Sequence, residues 1–104
     1  MKLEGKWVGQ YSYGEMYPEN CIGKSISFEM PDGPATIGVM AAGEYNFGTS
    51  TVEYMTVTSG ELLVMQPGET EWKSYKPFET FIVVKDVTFK VKATFDTTYL
   101  CLYR

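Results

Sequence analysis

The sequence predicts an all-β fold: a single domain whose strands close into a barrel or stack as a double-sheet jelly roll. Three observations lead there. No window places apolar residues at i, i+3, i+4 and i+7, so no amphipathic helix is written into the chain. Short alternating runs recur instead, between Gly, Pro, Asn and Asp punctuation, at roughly 8–12-residue spacing. Hydrophobic residues make up 44% and aromatics 15%, a composition that suits packed, pleated surfaces and lies far from that of a disordered chain. With 104 residues there is material for one core and not two. Roughly eight to ten short strands without helices point to closure, because all-β folds must protect their edges.

The strands follow in order. Trp7, Tyr11 and Tyr13 share one parity, and Tyr17-Pro18-Glu19-Asn20 has turn chemistry. Ile26, Phe28 and Met30 form the next one-sided face, and Pro31-Asp32-Gly33-Pro34 requires a tight loop. Ile37, Val39 and Ala41 alternate up to Gly43; Met55 and Val57 share a face before Ser59-Gly60 turns the chain. Leu62 to Met65 is continuously apolar and is closed by Pro67-Gly68. Trp72 and Tyr75 mark a further strand, Phe81 to Val84 another, and Phe89 with Val91 the next. A last strand from Thr98 to Tyr103 puts Tyr99, Cys101 and Tyr103 on one face. Residues 1–24 are aromatic and alternating, which predicts an added N-terminal hairpin packed on the barrel or on a partner subunit.

Charge and composition exclude several function classes. Nine Lys and Arg against thirteen Asp and Glu give a net charge of −4, with Arg104 the one arginine. A nucleic-acid partner is not expected, since that affinity comes from clustered Lys and Arg on phosphates. No apolar stretch approaches a signal peptide or the roughly 20 residues of a membrane span, so the expected location is cytoplasmic, without membrane contact. In that reducing compartment Cys21 and Cys101 read as two free thiols. The count of His is 0, which removes Ser-His-Asp and Cys-His catalysis, and two cysteines cannot build a three- or four-Cys zinc site.

Glu53 followed by six residues and then Gly60 resembles the first cupin motif without its histidines, whose two imidazole positions fall on Phe47 and Thr49. A typical cupin holds its metal through two or three imidazoles and one carboxylate; of that set Glu53 alone remains. The order Gly38-Val39-Met40, Gly43-Glu44-Tyr45-x-Phe47-x-Thr49, Glu53-x-Met55-Thr56-Val57-x-Ser59-Gly60, the Trp72 strand, Phe81-x-Val83 and the closing Tyr99-Leu100-Cys101-x-Tyr103 resembles the pyrimidine/purine nucleoside phosphorylases, small single-domain cupins. It departs from the second cupin motif, Gly-x5-Pro, where this chain has Phe78 and Val84.

The resemblance runs from Ser25 to Arg104 and implies a metal-independent cupin (RmlC-like) barrel without a cofactor, within a single domain of residues 1–104 whose first 24 residues are the added hairpin. It implies phosphorolysis of purine and pyrimidine nucleosides to free base and ribose 1-phosphate, and nucleoside plus inorganic phosphate as partners. Phe47, Thr49 and Glu53 would face the barrel interior, with Phe89 at the position where the second motif supplies a histidine. The transition state of such a glycosyl transfer resembles an oxocarbenium ion, so a carboxylate near it is stabilising. Glu53 is the candidate catalytic residue, with Thr49 and Tyr45 as its hydrogen-bonding neighbours and Phe47 and Phe89 as the wall for a flat base. Phosphate has no helix N-terminus to bind. Ser50 and Thr51, in the Gly48–Thr51 loop, offer hydroxyls and backbone N–H groups, and Lys85 or Lys73 offers charge. A homodimer is expected, as for most small symmetric oligomers.

Each residue also has a plainer reading. Glutamates on strands are usually solvated, strand tyrosines usually pack, and Met40, Met55 and Met65 suit core filling. The alternative function is a non-catalytic cupin that binds a small sugar or nucleobase-like ligand or serves to dimerise. Phe78 and Val84 favour it, because a Phe in place of a glycine with positive φ should remodel the turn. A metal held by Glu53 and other oxygens is a third reading, weak because one carboxylate makes a poor site.

Overall fold

The computed structural model describes residues 10–13 and 23–104, and side chains from residue 25 onward. Trp7, the 17–20 turn and Cys21 lie outside the described residues. Ten strands succeed one another: β1 (Gln10–Tyr13), β2 (Gly23–Met30), β3 (Gly33–Met40), β4 (Gly43–Gly48), β5 (Glu53–Ser59), β6 (Leu62–Met65), β7 (Lys73–Tyr75), β8 (Thr80–Val83), β9 (Thr88–Ala93) and β10 (Thr97–Tyr103). They form two antiparallel sheets, of order β1-β2-β3-β10-β5-β8 and β4-β9-β6-β7. The all-β architecture is the one predicted from the alternating runs. Trp72 falls one residue ahead of β7 rather than on it.

Cross-strand register fixes what meets in the interior. Thr36, Cys101, Met55 and Phe81 form one row across β3, β10, β5 and β8, while Tyr103, Glu53 and Val83 form the neighbouring row. In the smaller sheet Phe47 lies opposite Phe89, and Tyr45 opposite Val91. The buried cluster joins both sheets through Met40, Met55, Val57, Phe81, Val83 and Cys101 on one side and Tyr45, Leu62, Val64, Phe89 and Val91 on the other. Period-2 alternation accounts for it: β9 buries Phe89, Val91 and Ala93, while between them Lys90 is exposed and Lys92 half-buried.

The alternating face of β3 turns outward. Ile37 is 53% exposed and Val39 is exposed too, whereas Thr36, Gly38 and Met40 are buried. The reason lies on β10: the ring of Tyr99 covers Gly38 so closely that a Cβ there would collide with it. Small residues on the inner face of β3 thus make room for tyrosines from the neighbouring strand. Gly60 closes the β5–β6 turn at φ +88°, with the backbone Cα of Thr97 only 3.0 Å from where a Cβ would stand.

Candidate active site

Glu53 opens β5 and points into the interior, where it is 9% exposed. Its Oε1 accepts a hydrogen bond from Cys101 Sγ at 3.5 Å, across the β5–β10 pairing. Tyr103 follows two residues along the same face of β10, and its hydroxyl lies 2.9 Å from Thr36 Oγ1 on β3. Burial pushes the Glu53 carboxyl above the ordinary carboxylate range, and thiol donation opposes that shift. Burial likewise raises the Cys101 thiol, with the charge of Glu53 adding to it. The Tyr103 phenol is raised by burial first and by Cys101 second. Both are neutral donors at ordinary pH. Cys101, Tyr103 and Thr36 were not singled out as site residues from the sequence; the shared parity of Tyr99, Cys101 and Tyr103 was the signal that pointed towards them.

An aromatic wall belongs to the same interior. Tyr45 and Phe47 are stacked with centroids 5.9 Å apart, Phe47 and Phe89 stand at 5.7 Å, and Phe81 meets Phe89 edge-on at 6.3 Å. Phe47 is half-buried while Phe89 is buried. Tyr45, 1% exposed, donates its hydroxyl proton to the Ala41 carbonyl at 2.6 Å.

Thr49 is buried and fastens two loops. Its hydroxyl donates to the Val84 carbonyl at 2.8 Å and accepts from Val87 N–H at 3.1 Å. The backbone joins in, with Thr49 N–H on Val87 O at 2.9 Å and Asp86 N–H on Thr49 O at 3.0 Å. Asp86 takes φ +62°, a conformation that Asp tolerates better than most residues. The clasp brings exposed Lys85 beside the Gly48–Thr51 loop. In that loop Ser50 is exposed, and Thr51 Oγ1 is buried without a hydrogen-bond partner among the described residues. Lys73 is not brought there: β7 lies at the opposite edge of its sheet from β4.

At the departure from the second motif, Phe78 holds φ +72° and its side chain is 83% exposed. Glu79 N–H closes on Lys76 O at 3.0 Å, Phe78 N–H donates to Val57 O at 2.7 Å, and Pro77 stands at the second position. These are the marks of a type II turn, whose third position favours glycine. The backbone there is the one glycine would adopt at no steric cost, imposed on a phenylalanine. Val84 is exposed and its carbonyl holds Thr49.

The residues do not suit a cupin metal. Phe47 and Thr49 occupy the imidazole positions, and the polar neighbour of Glu53 is a protonated thiol. Among the described residues no three His, Cys, Asp or Glu side chains converge. Among the described residues, too, no helix is long and apolar enough to cross a membrane.

The comparisons with known proteins agree with one another. Residues 12–103 match the family described as Pyrimidine/purine nucleoside phosphorylase. A protein of that name from Pseudomonas aeruginosa is 54% identical over 81 residues, 78% of this chain and 87% of the relative. One from Shewanella pealeana is 51% identical over 96 residues, 92% and 96% respectively. Among solved structures, a protein of unknown function from Vibrio parahaemolyticus superposes with a TM-score of 0.77 at 34% identity, covering 88% of this chain and 96% of its own. The EutQ protein of Clostridium difficile, at 10% identity and a TM-score of 0.73, covering 88% of this chain and 77% of its own, shares the cupin-like fold alone.

Proposed function

Since this chain belongs to the pyrimidine/purine nucleoside phosphorylase family, we propose that it catalyses phosphorolysis of nucleosides at the interior face of β5. The observation that carries the reading is a buried carboxylate, Glu53, in an interior walled by Phe47 and Phe89. In the reaction the C1'–N bond breaks, the base leaves with the electron pair and takes up a proton, and a phosphate oxygen bonds C1'. Positive charge builds on the ribose ring before that bond is complete. A carboxylate held there in a low-dielectric setting favours the transition state over the neutral ground state. Half-buried Phe47, backed by buried Phe89, offers a ring face to a base, and stacking tolerates purines and pyrimidines alike because every base has a π-face.

Phosphate is assigned to the Gly48–Thr51 loop and Lys85. Two features support this: Thr51 Oγ1 is a buried hydroxyl with no partner among the described residues, and the Thr49 clasp keeps cationic Lys85 beside that loop. Thr49 and Tyr45 act as the frame, since backbone groups already hold their hydroxyls. Release of free base from uridine and inosine, measured with and without phosphate, tests the reading; phosphate-independent release would contradict it.

The second reading is a cupin that binds such ligands without turnover. It rests on Phe78 and Val84, but the turn that contains Phe78 remains closed by its hydrogen bonds and the Val84 carbonyl still holds Thr49, which favours catalysis. A homodimer is part of the proposal. Ile37, Val39, Tyr54, Ile82, Leu100 and Leu102 face outward on neighbouring strands of the larger sheet, giving an apolar patch suited to an isologous contact. Sedimentation of the wild type against Ile37→Lys tests it: a monomeric wild type refutes the pairing.

A further inference from the structure

Glu53 does not stand alone in the barrel. Four polar side chains from three adjacent strands line this part of the interior: Thr36 on β3, Tyr103 and Cys101 on β10, and Glu53 on β5. An ionised carboxylate can only accept hydrogen bonds, and that fixes the direction of the contact at Glu53. The single Cys101 proton goes to Glu53 Oε1 at 3.5 Å. Tyr103, on the same face of β10, shares a hydrogen bond with Thr36.

We propose that Cys101 is a positioning residue of the phosphorylase site, whose thiol holds the Glu53 carboxylate in the rotamer that faces the developing ribosyl cation. The inference rests on the phosphorolysis reading of Glu53. Cys101 is not a nucleophile in this account: it is buried, and its thiol is kept protonated by that burial and by the neighbouring carboxylate. The titratable and charged groups around Glu53 are Cys101 and Tyr103 on β10, with Arg104 at the strand end; the β8 neighbour, Val83, brings none. Arg104 is itself engaged by Asp32 at 2.9 Å and by the Pro34 carbonyl.

Cys101→Ala removes the donor to Glu53 and leaves a small apolar side chain in its place. The acidic limb of kcat/KM against pH should then move to higher pH by about half a unit to one unit, the size of one lost hydrogen bond from a weak thiol donor. Cys101→Ser, which keeps a donor, should recover part of that shift. The same displacement should be seen without turnover, in an NMR titration of the Glu53 side-chain carboxyl carbon, assigned by its disappearance in Glu53→Gln. A folded Cys101→Ala protein whose acidic limb and carboxyl titration both match wild type would overturn the proposal, as would Cys101→Ser behaving no differently from Cys101→Ala. Absence of base release from the wild type would refute the phosphorolysis reading, and the carboxyl titration would still decide whether Cys101 governs Glu53.

Discussion

Replacing Thr49 by valine separates two roles that the sequence leaves open for this residue. Valine keeps the branched shape of threonine and deletes only the hydroxyl. The structure then loses the bond to the Val84 carbonyl at 2.8 Å and the one accepted from Val87 N–H at 3.1 Å. The carbonyl of exposed Val84 can turn to water, so that loss costs about 0.5–1 kcal/mol; the Val87 N–H becomes an orphaned donor beside the core, at about 1–2 kcal/mol. Together the expected destabilisation is about 1.5–3 kcal/mol, which for a domain of this size lowers Tm by about 6–24 °C. Thermal unfolding followed by near-ultraviolet circular dichroism reads it directly, and Thr49→Ser should retain most of the stability. KM for nucleoside, measured well below the lowered Tm, should change little. Should Thr49→Val instead keep the wild-type Tm and raise KM, Thr49 is a substrate contact and the clasp is incidental.

The other predictions concern pH and backbone strain. The Glu53 carboxyl is raised by burial above its unfolded value of 4.5, so its contribution to stability is fully present below that pH and is lost as pH rises through the folded value. Glu53→Gln should therefore melt higher than wild type at neutral pH and converge with it in acid; equal Tm at every pH would refute the burial argument. Cys101 and Tyr103, both raised, should make the fold lose stability as the pH climbs past about 9, where an unfolded thiol begins to ionise; an alkaline titration of Tm checks this. Phe78 sits at φ +72°, so Phe78→Gly should be at least as stable as wild type, while β-branched Phe78→Val should be less stable by about 1–2 kcal/mol; denaturant midpoints rank them. Gly60→Ala forces a Cβ onto Thr97 at φ +88° and should cost about 3 kcal/mol or more, read as a loss of folded protein in the same titration.

The strands were legible because period-2 alternation survives wherever one face is buried, as in Phe89, Val91 and Ala93. Which face is buried was harder to read on β3. Both faces of that strand are free of charge, and the outward one is the more apolar, so parity alone could not tell inside from outside. Only the Tyr99 ring packed over Gly38 decides it. Glu53 could be found from its spacing to Gly60. Its neighbours could not, because Cys101 is 48 residues away and Thr36 reaches Tyr103 over a separation of 67. Those contacts follow from the order β3-β10-β5, which inserts the last strand between two early ones, and no local pattern encodes an insertion. Phe78 teaches the converse. Reading a missing glycine as a remodelled turn assumes that the side chain dictates the backbone. Here the bonds from Phe78 N–H to Val57 O and from Glu79 N–H to Lys76 O hold the turn, and the phenylalanine carries the strain.

The proposed role of Glu53 in phosphorolysis stands or falls on release of free base from uridine and inosine, with and without inorganic phosphate, by wild type and Glu53→Gln purified identically. The expected result is phosphate-dependent release with ribose 1-phosphate in equal amount, falling by a factor of at least about 100 in the variant, the loss of about 2.7 kcal/mol of transition-state stabilisation. Release that persists undiminished in folded Glu53→Gln would contradict it.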